Sequence, residues 1–252
     1  MYFDSHAHLD DEKFDGDRDR VAESLSEQEI SGVLNVCSSI EKIDVCLELA
    51  QKYDRIYAAI GVHPHEASLA TDEVLKRVSE VAQNPKVKAY GEIGLDYFHN
   101  FSPRDVQKRV FEVQINMAYG LKLPIVVHDR DAHQDVYEIL SAHRNKIYGG
   151  MMHMFSGSWD MAKKFMDLGL HISLGGPVTF KNAVAPVEVA KKIPLDRLLI
   201  ETDCPYMSPH PLRGTRNNPG NVKIIAQKIA ELRGISPPDL VQSLGTVLSI
   251  AK

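Results

Sequence analysis

The sequence has little cysteine and no long apolar run, and both shortages narrow its class. Three cysteines, Cys37, Cys46 and Cys204, occur among 252 residues and form no Cys-x-x-Cys pair, which favours a reducing compartment over a disulfide framework. No apolar run approaches the roughly 20 residues that a membrane-spanning helix needs. The first residues, MYFDSHAHLD, have neither the basic start nor the apolar stretch of a signal peptide. We therefore expect a cytoplasmic protein with no membrane segment.

An excess of positive charge is also absent. The chain has 29 Lys and Arg residues against 34 Asp and Glu, which gives a formal net charge of −5. A protein that coats long duplex nucleic acid by charge alone needs many basic contacts, so this balance argues against that class. It does not argue against a metal enzyme that acts on a phosphate, because bound cations can be the largest local charges in a site.

Short apolar runs alternate with longer amphipathic segments along the chain. The runs are rich in Val, Ile, Leu and Tyr and are typical of β-strands, whereas the segments between them repeat apolar residues at helical spacing. The predicted strands are YFDSHAHL (2–9), GVLNVCS (32–38), IYAAIGV (56–62), VKAYGEIG (87–94), PIVVHD (124–129), YGGMMHMF (148–155), HISLGG (171–176) and LLIETD (198–203).

Eight strands that alternate with helices in a chain of this length predict an α/β fold, the (β/α)8 TIM barrel, as a single domain over residues 1–252. An open doubly wound sheet is the alternative. It would be indicated by a GxGxxG motif after the first strand. The first strand leads instead into His and Asp, which favours the barrel.

Metal-binding residue types stand at or near the carboxyl ends of five predicted strands. These residues are His6, His8, Glu92, His128, His153 and Asp203. That end of the strands is the barrel face where active sites are built. His6 and His8 are two residues apart, so they point to the same side of a strand, although alone they are as readily two incidental histidines. An unpaired buried carboxylate is expensive, so Glu92 and Asp203 each need a partner or a metal.

The mixture of imidazole and carboxylate ligands predicts divalent metal ions. It suits Zn, Mn, Fe or Ni better than Mg, which prefers oxygen ligands, and the choice among these five stays open. A glutamate has two oxygens and can bridge two ions. Two ions about 4 Å apart can clamp the attacking and leaving oxygens of a phosphoester and offset the charge of the transition state. We therefore predict a hydrolase with two divalent metal ions per chain.

Several separate motifs, in this order, resemble the TatD family of metal-dependent deoxyribonucleases, part of the wider amidohydrolase-like barrel superfamily. The resemblance runs from about Phe3 to Leu232 and rests on HAHLD, GVHPH, GEIGLDYF, VHDRDAHQDVYEIL, HMFSGS and ETDCPYMSPHPLRGTRNNP. It implies a barrel of the metal-dependent hydrolase type, two divalent metals, and phosphodiester hydrolysis by an activated water, commonly on DNA. The last residues, GTVLSIAK (245–252), depart from the family pattern, which affects the predicted packing of the tail and no candidate ligand.

The resemblance also implies how the candidate ligands divide. One metal would be held by His6, His8, Glu92 and Asp203. The other would be held by Glu92, His128 and His153, so that Glu92 is shared. The resemblance makes Asp203 the general base or acid, and Asp203 and Glu92 are therefore the predicted catalytic residues.

Substrate contacts are predicted from the loops at the same face. The family places His63 in the site, where we interpret it as a contact to the scissile phosphate or a metal-bound water. Arg213 is the best phosphate candidate, because a guanidinium binds phosphate through two hydrogen bonds. Arg130 is predicted equally well to bind phosphate or to pair with Asp131 or Asp135. The aromatic residues there, which would stack on bases or cover the barrel mouth, are Tyr97, Phe98 and Phe155.

We predict an exonuclease that acts on DNA ends, in the 3′ to 5′ direction as the resemblance implies, and that is a monomer with no membrane partner. One alternative is an esterase, amidase or deacylase on the same barrel. Several such enzymes bridge their metals with a carbamylated lysine on the fourth strand, and no lysine lies among Tyr90–Asp96. The other alternative is a barrel that binds metal without catalysis. The complete ligand set argues against it, because Asp203 and Glu92 have little structural use.

Overall fold

Eight parallel strands follow one another around a single sheet in sequence order. The computed structural model describes residues 1–243. Its strands are β1 (Tyr2–Ala7), β2 (Ile30–Val36), β3 (Ile56–Ile60), β4 (Val87–Asp96), β5 (Ile125–Arg130), β6 (Gly150–Met152), β7 (His171–Leu174) and β8 (Leu198–Ile200). Each strand pairs in parallel with the next one along the chain.

The sheet closes between β1 and the segment that follows β8. A parallel bridge joins Ala7 to Cys204. The Asp203 amide donates to the His6 carbonyl at 2.9 Å, and the His8 amide donates to the Cys204 carbonyl at 2.7 Å. With strand order 1 to 8 and this closure, the fold is a (β/α)8 TIM barrel, which confirms the predicted fold class.

A helix follows every strand. The helices are α1 (Arg18–Glu23), α2 (Ile43–Lys52), α3 (Asp72–Val81), α4 (Arg104–Leu121), α5 (His133–Ala142), α6 (Trp159–Asp167), α7 (Ala185–Lys192), α8 (Val222–Arg233) and α9 (Pro237–Ser243). Side-chain caps define two of the starts: Thr71 accepts from the Val74 amide before α3, and Ser158 accepts from the Met161 amide before α6. None of the helices in residues 1–243 is long and apolar enough to cross a membrane.

Strand residues alone build a small apolar cluster, separate from the large core between strands and helices. Its buried members are Leu34, Val36, Ala59, Ala89, Val126, Met151 and Leu199. They come from β2, β3, β4, β5, β6 and β8, and inward-facing residues of a TIM barrel pack in layers of this kind. We call this cluster the lower layer, since the candidate site lies above it, towards the carboxyl ends of the strands.

Of the strands that carry candidate ligands, β1 ends two residues earlier than the sequence predicts, at Ala7, and two others end three residues earlier. β6 stops at Met152 and β8 at Ile200, whereas the apolar runs extend to 155 and 203. The backbone turns there: Met154 has φ 42° and Asp203 has φ 57°, left-handed conformations that cannot continue a strand. The candidate ligands of β6 and β8 therefore lie just past the last pairing. The single-domain prediction stays a prediction, and the predicted departure of the tail lies outside the described residues.

Candidate metal centre

A cavity of about 520 Å³ opens at the carboxyl ends of the strands. Its wall includes His8, Glu92, His128, His153 and Asp203. The sixth candidate ligand, His6, lies beneath this wall and is fully buried. The structure thus brings together all six candidate ligands at the face of the barrel where the sequence predicts them.

Strand alternation places several of these side chains directly above the lower layer. On β5, Val126 belongs to the lower layer, and His128 follows two residues later. At β6, His153 follows the lower-layer residue Met151 by two residues. At and after β8, Glu201 and then Asp203 follow the lower-layer residue Leu199 at the same spacing. Side chains two residues apart on a strand share a face. The same inward face is therefore apolar at its lower end and polar at its upper end.

The first donor set surrounds His6. Its Nε2 lies 3.1 Å from His8 Nε2, 3.4 Å from Glu92 Oε2 and 3.8 Å from Asp203 Oδ1. His8 Nε2 lies 3.3 Å from the same oxygen of Asp203. His8 Nδ1 is 2.8 Å from the Val36 carbonyl; a bond donated there leaves Nε2 with its lone pair towards the set, as a metal-binding imidazole requires.

The second donor set surrounds the other oxygen of Glu92. Oε1 lies 2.6 Å from His128 Nδ1, 3.3 Å from His153 Nε2 and 3.6 Å from His63 Nε2. Glu92 therefore presents one oxygen to each set. Nitrogen and carboxylate oxygen donors converging in two groups fit two divalent ions that share a carboxylate.

His63 differs from the other imidazoles of the second set. Its Nδ1 accepts the His65 backbone amide at 3.1 Å, so in the neutral ring the proton is on Nε2. Burial lowers the pKa of His63 to about 4, which keeps the ring neutral near pH 7. A protonated Nε2 donates a hydrogen bond and does not ligate a metal. The geometry therefore suits the predicted substrate contact better than a place among the ligands.

Without metal, two of the imidazoles hold protons strongly. Burial lowers the pKa of His8, but the hydrogen bond and charge of Asp203, with Glu92, outweigh it and raise this pKa to about 10. Burial also lowers the pKa of His128, but the hydrogen bonds and charges of Asp96 and Glu92 outweigh this effect and raise the pKa to about 9. A metal that binds here must displace these protons.

A buried carboxylate missing from the predicted site, Asp96, organises the β4 side of the cavity. Its Oδ2 lies 2.7 Å from His65 Nε2, 2.9 Å from His99 Nδ1 and 3.1 Å from His128 Nε2. Burial raises the pKa of Asp96, but the bonds from His128, His65 and His99 lower it well below its ordinary value. A carboxylate on the far nitrogen of a ligand histidine orients that ring towards the metal.

Glu201 has the corresponding place behind His153. Its Oε1 lies 3.2 Å from His153 Nδ1, and the same oxygen accepts the Met154 amide. Ser173 donates to Oε2. The sequence analysis did not predict Glu201 and Asp96 as part of the site. The burial argument used for Glu92 applies to them as well, because each is a carboxylate in an apolar run. Each is also separated from a candidate ligand by an even number of residues.

The two arginines predicted to contact phosphate lie in different surroundings. Arg213 does not line the cavity; its Cζ lies 4.2 Å from the centre of the Phe180 ring. Arg130 does line it, with Cζ 4.9 Å from the Phe98 ring centre. Asp135, a predicted partner of Arg130, pairs instead with Lys108 at 2.7 Å. The phosphate contact of Arg213 stays a prediction.

Only one of the three aromatic candidates lines the cavity. Phe98 does so and is 59% exposed. The Tyr97 hydroxyl donates to Asp135, and Phe155 is buried against Phe165. Tyr97 and Phe155 therefore have packing roles, whereas the ring of Phe98 is exposed at the opening of the cavity.

Known proteins resemble the chain over nearly its whole length. The family model described as TatD related DNase matches residues 3–247. The chain belongs to this family. An uncharacterized metal-dependent hydrolase, YabD of Bacillus subtilis (strain 168), is 47% identical over 233 residues, which are 92% of this chain and 91% of the relative. A protein named 3′-5′ ssDNA/RNA exonuclease TatD, from Enterobacter lignolyticus (strain SCF1), is 34% identical over 237 residues, with 92% and 91% covered.

Solved structures agree with this membership of the TatD family. YJJV, a TatD homologue from Escherichia coli K12, superposes with a TM-score of 0.90 at 30% identity and covers 96% of this chain and 94% of its own. The chain is thus a metal-dependent hydrolase of the TatD family on a TIM barrel, and this part of the predicted function is confirmed.

Proposed function

We propose that this TatD-family hydrolase is a 3′ to 5′ exodeoxyribonuclease that holds two divalent ions at the carboxyl end of its barrel. One observation carries the proposal: the two oxygens of Glu92 face two separate donor sets, at 3.4 Å from His6 Nε2 and 2.6 Å from His128 Nδ1. A carboxylate between two nitrogen-rich sets is the arrangement expected of a bridging ligand. The nitrogen donors favour Zn, Mn, Fe or Ni over Mg.

His6, His8, Glu92 and Asp203 would hold one ion, and Glu92, His128 and His153 the other. When bound, such ions supply Lewis-acid activation of water and neutralise charge on a phosphoester. Asp96 and Glu201 support the second set from behind, through His128 and His153. Their negative charge keeps these rings oriented towards Glu92.

Asp203 is the residue proposed to move the proton. Its Oδ1 faces the two histidines of the first set, and its side chain keeps 13% exposure to the cavity. The left-handed backbone at this position directs it there. Its carboxylate would take a proton from the attacking water and return one to the leaving alcohol oxygen.

His63 would hold the substrate at the other side of Glu92. Its Nε2 lies 3.6 Å from Glu92 Oε1, and the residue lines the cavity together with Glu92 and Asp203. A neutral donor there contacts a non-bridging phosphate oxygen without a charge that would repel the metal ions. This assignment rests on the backbone amide of His65, which occupies Nδ1.

The shape of the site favours chain ends. The cavity is a concave pocket ringed by loops, so the interior of a duplex would meet those loops before a phosphate reached the donor sets. The net charge of −5 supplies no broad cationic track. The relative from Enterobacter lignolyticus, 34% identical and named as a 3′-5′ ssDNA/RNA exonuclease, is consistent with an end-directed enzyme for single strands.

A product ladder tests the proposal. Metal-free protein is reconstituted with Mn²⁺ or Zn²⁺ and given end-labelled single- and double-stranded DNA, with a panel of ester and amide substrates beside them. We expect mononucleotide release from the 3′ end, faster on single strands, and its loss on chelation. The log–log slope of binding against salt should be shallow, about −1 to −3, because few phosphates are contacted.

Rapid nicking of closed circular duplex, with little mononucleotide release from a single strand, would contradict end-directed cleavage. Turnover of amides alone would contradict the nuclease and favour the esterase or amidase alternative. The predicted monomer and cytoplasmic location stay predictions.

A further inference from the structure

We infer that Arg130, stacked on the ring of Phe98, binds the phosphate next to the one that is cleaved. The inference rests on the proposed function and adds a second phosphate subsite to it. Arg130 is the only lysine or arginine among the described residues that line the cavity. A substrate with several phosphates therefore meets a single fixed cation of the protein beside the donor sets.

The backbone holds Arg130 in a defined place. It is the last residue of β5, two residues after His128, so the two side chains leave the strand on the same side. The Tyr97 amide donates to the Arg130 carbonyl at 2.9 Å, and Arg130 pairs in register with Asp96 on β4. Arg130 is thus anchored one step further out than a candidate ligand, which is where a neighbouring phosphate would lie.

The Phe98 ring orients the guanidinium. Cζ of Arg130 lies 4.9 Å from the ring centre, within the range of a cation–π contact. A guanidinium that lies on a ring keeps its N–H edge free for the two oxygens of a phosphate. In residues 1–243 no protein atom accepts a hydrogen bond from this guanidinium, whereas Arg216 donates to Asp17 at 2.6 and 2.7 Å.

The charge of the cavity supports an anion at this position. Four carboxylates line it, those of Glu92, Asp96, Asp129 and Asp203, against the one guanidinium. Two divalent ions would balance the four carboxylates. Arg130 then remains as the net positive charge on the wall, which favours a phosphate there and not a second carboxylate.

Two short substrates separate this subsite from the scissile one. The dinucleotide dTpT contains one phosphodiester and the trinucleotide dTpTpT contains two, and the bond cleaved first is chemically the same. We expect wild-type kcat/KM to be higher for the trinucleotide. Arg130→Ala should reduce the trinucleotide-to-dinucleotide ratio about 10-fold or to one, as the loss of a charge-assisted hydrogen-bonding pair predicts. Arg130→Lys keeps the positive charge but cannot make two parallel hydrogen bonds to a phosphate, so its ratio should lie between those of the wild-type enzyme and Arg130→Ala.

Arg104 supplies the matched control. Its Cζ lies 4.2 Å from the Tyr97 ring centre, the same kind of stack, but it does not line the cavity. Arg104→Ala should therefore leave the ratio at its wild-type value. Phe98→Leu, which removes the ring and keeps the guanidinium, should lower the ratio less than Arg130→Ala. In Arg130→Ala, the log–log slope of single-stranded oligonucleotide binding against salt should become shallower by about 0.7, the value for one lost phosphate contact.

The outcomes are distinct. If the wild-type enzyme cleaves neither nucleotide, the proposed nuclease function fails. If it cleaves both and Arg130→Ala leaves the ratio unchanged, whether both rates hold or fall together, the second subsite is overturned and the nuclease stands. An equal loss of ratio in Arg104→Ala also overturns it, because the effect would then belong to any stacked arginine at the surface.

Discussion

The inward face of this barrel has two layers built by the same strands, and they have opposite character. The lower layer is the apolar cluster that includes Val126, Met151 and Leu199. The upper layer consists of the two donor sets with Asp96 and Glu201, and His128, His153 and Glu201 lie two residues beyond the three apolar residues just named. One step of the strand repeat thus separates packing from chemistry.

The difference shows what each layer contributes. Burial of a Leu, Val or Met side chain stabilises a protein by about 1.5–3 kcal/mol, so the lower layer serves the fold. Buried carboxylates and imidazoles are costly unless they are paired, and the carboxylates of the upper layer are paired almost entirely with imidazoles that could bind metal. Changes in the two layers should therefore have separable effects, one on stability and the other on metal binding and rate.

The largest separation is expected from Asp203→Asn in the upper layer. The amide can neither ligate well nor accept the proton from water, and loss of a general acid–base group typically costs about 10²–10⁴ in rate. The metal-free variant should still unfold cooperatively, with a lowered thermal midpoint because the protonated His8 loses the Asp203 carboxylate. Turnover on single-stranded DNA and a melting curve measure both. A metal-loaded variant within a few-fold of the wild-type rate would remove Asp203 from the chemistry.

Leu199→Ala in the lower layer should give the opposite result. Leu199 is 2% exposed, and truncation of a buried leucine to alanine costs about 2–5 kcal/mol. We expect that loss in the free energy of unfolding from denaturant titration, while metal content at low temperature stays at the wild-type level. A stable variant that has lost its metal would show that the two layers are not separable.

A smaller effect is expected at the lower end of the barrel, where His171 begins β7 without a carboxylate side chain bonded to it among the described residues. Burial, with the charge of Arg197, lowers the pKa of His171, so the folded protein protonates this ring only at a lower pH than the unfolded chain does. Its stabilising contribution is present above its unfolded pKa, about 6.5, and is lost as pH falls towards its folded pKa.

In metal-free protein, His171→Gln should therefore weaken the fall in unfolding free energy below pH 6.5, by at most about 1.4 kcal/mol per pH unit. Denaturant titrations at several pH values between 7.5 and 5 measure it. An unchanged pH dependence would mean that the ring titrates alike in the folded and unfolded chains.

Most of the fold, and the meeting of the candidate ligands at one face of the barrel, could be predicted because both follow from local periodicity. Alternation fixes the side to which His6, His128 and His153 point, and the parallel order brings strand ends to one face. Glu201 and Asp96 carry the same signal and were recoverable by asking which other buried carboxylates lie an even number of residues from a ligand.

The arginine contacts could not be predicted in this way. The path of the loop after β8, which carries Arg213, has no repeat, and three-dimensional packing brings it to Phe180. Arg130 had two interpretations from sequence because its neighbours Asp131 and Asp135 are close along the chain. In the structure Asp135 forms an ion pair with Lys108 and accepts a hydrogen bond from Tyr97, so it is not the partner of Arg130.

The count of bound ions against activity tests the central claim that Glu92 joins two metal sites in the upper layer. Metal-free protein is titrated with Mn²⁺ or Zn²⁺, ions per chain are measured by elemental analysis, and turnover on single-stranded DNA is followed in the same samples. The account predicts two ions per chain, activity that rises with the second, and loss of tight binding together with rate in Glu92→Gln. Full activity with one ion, or two tightly held ions in Glu92→Gln, would contradict it.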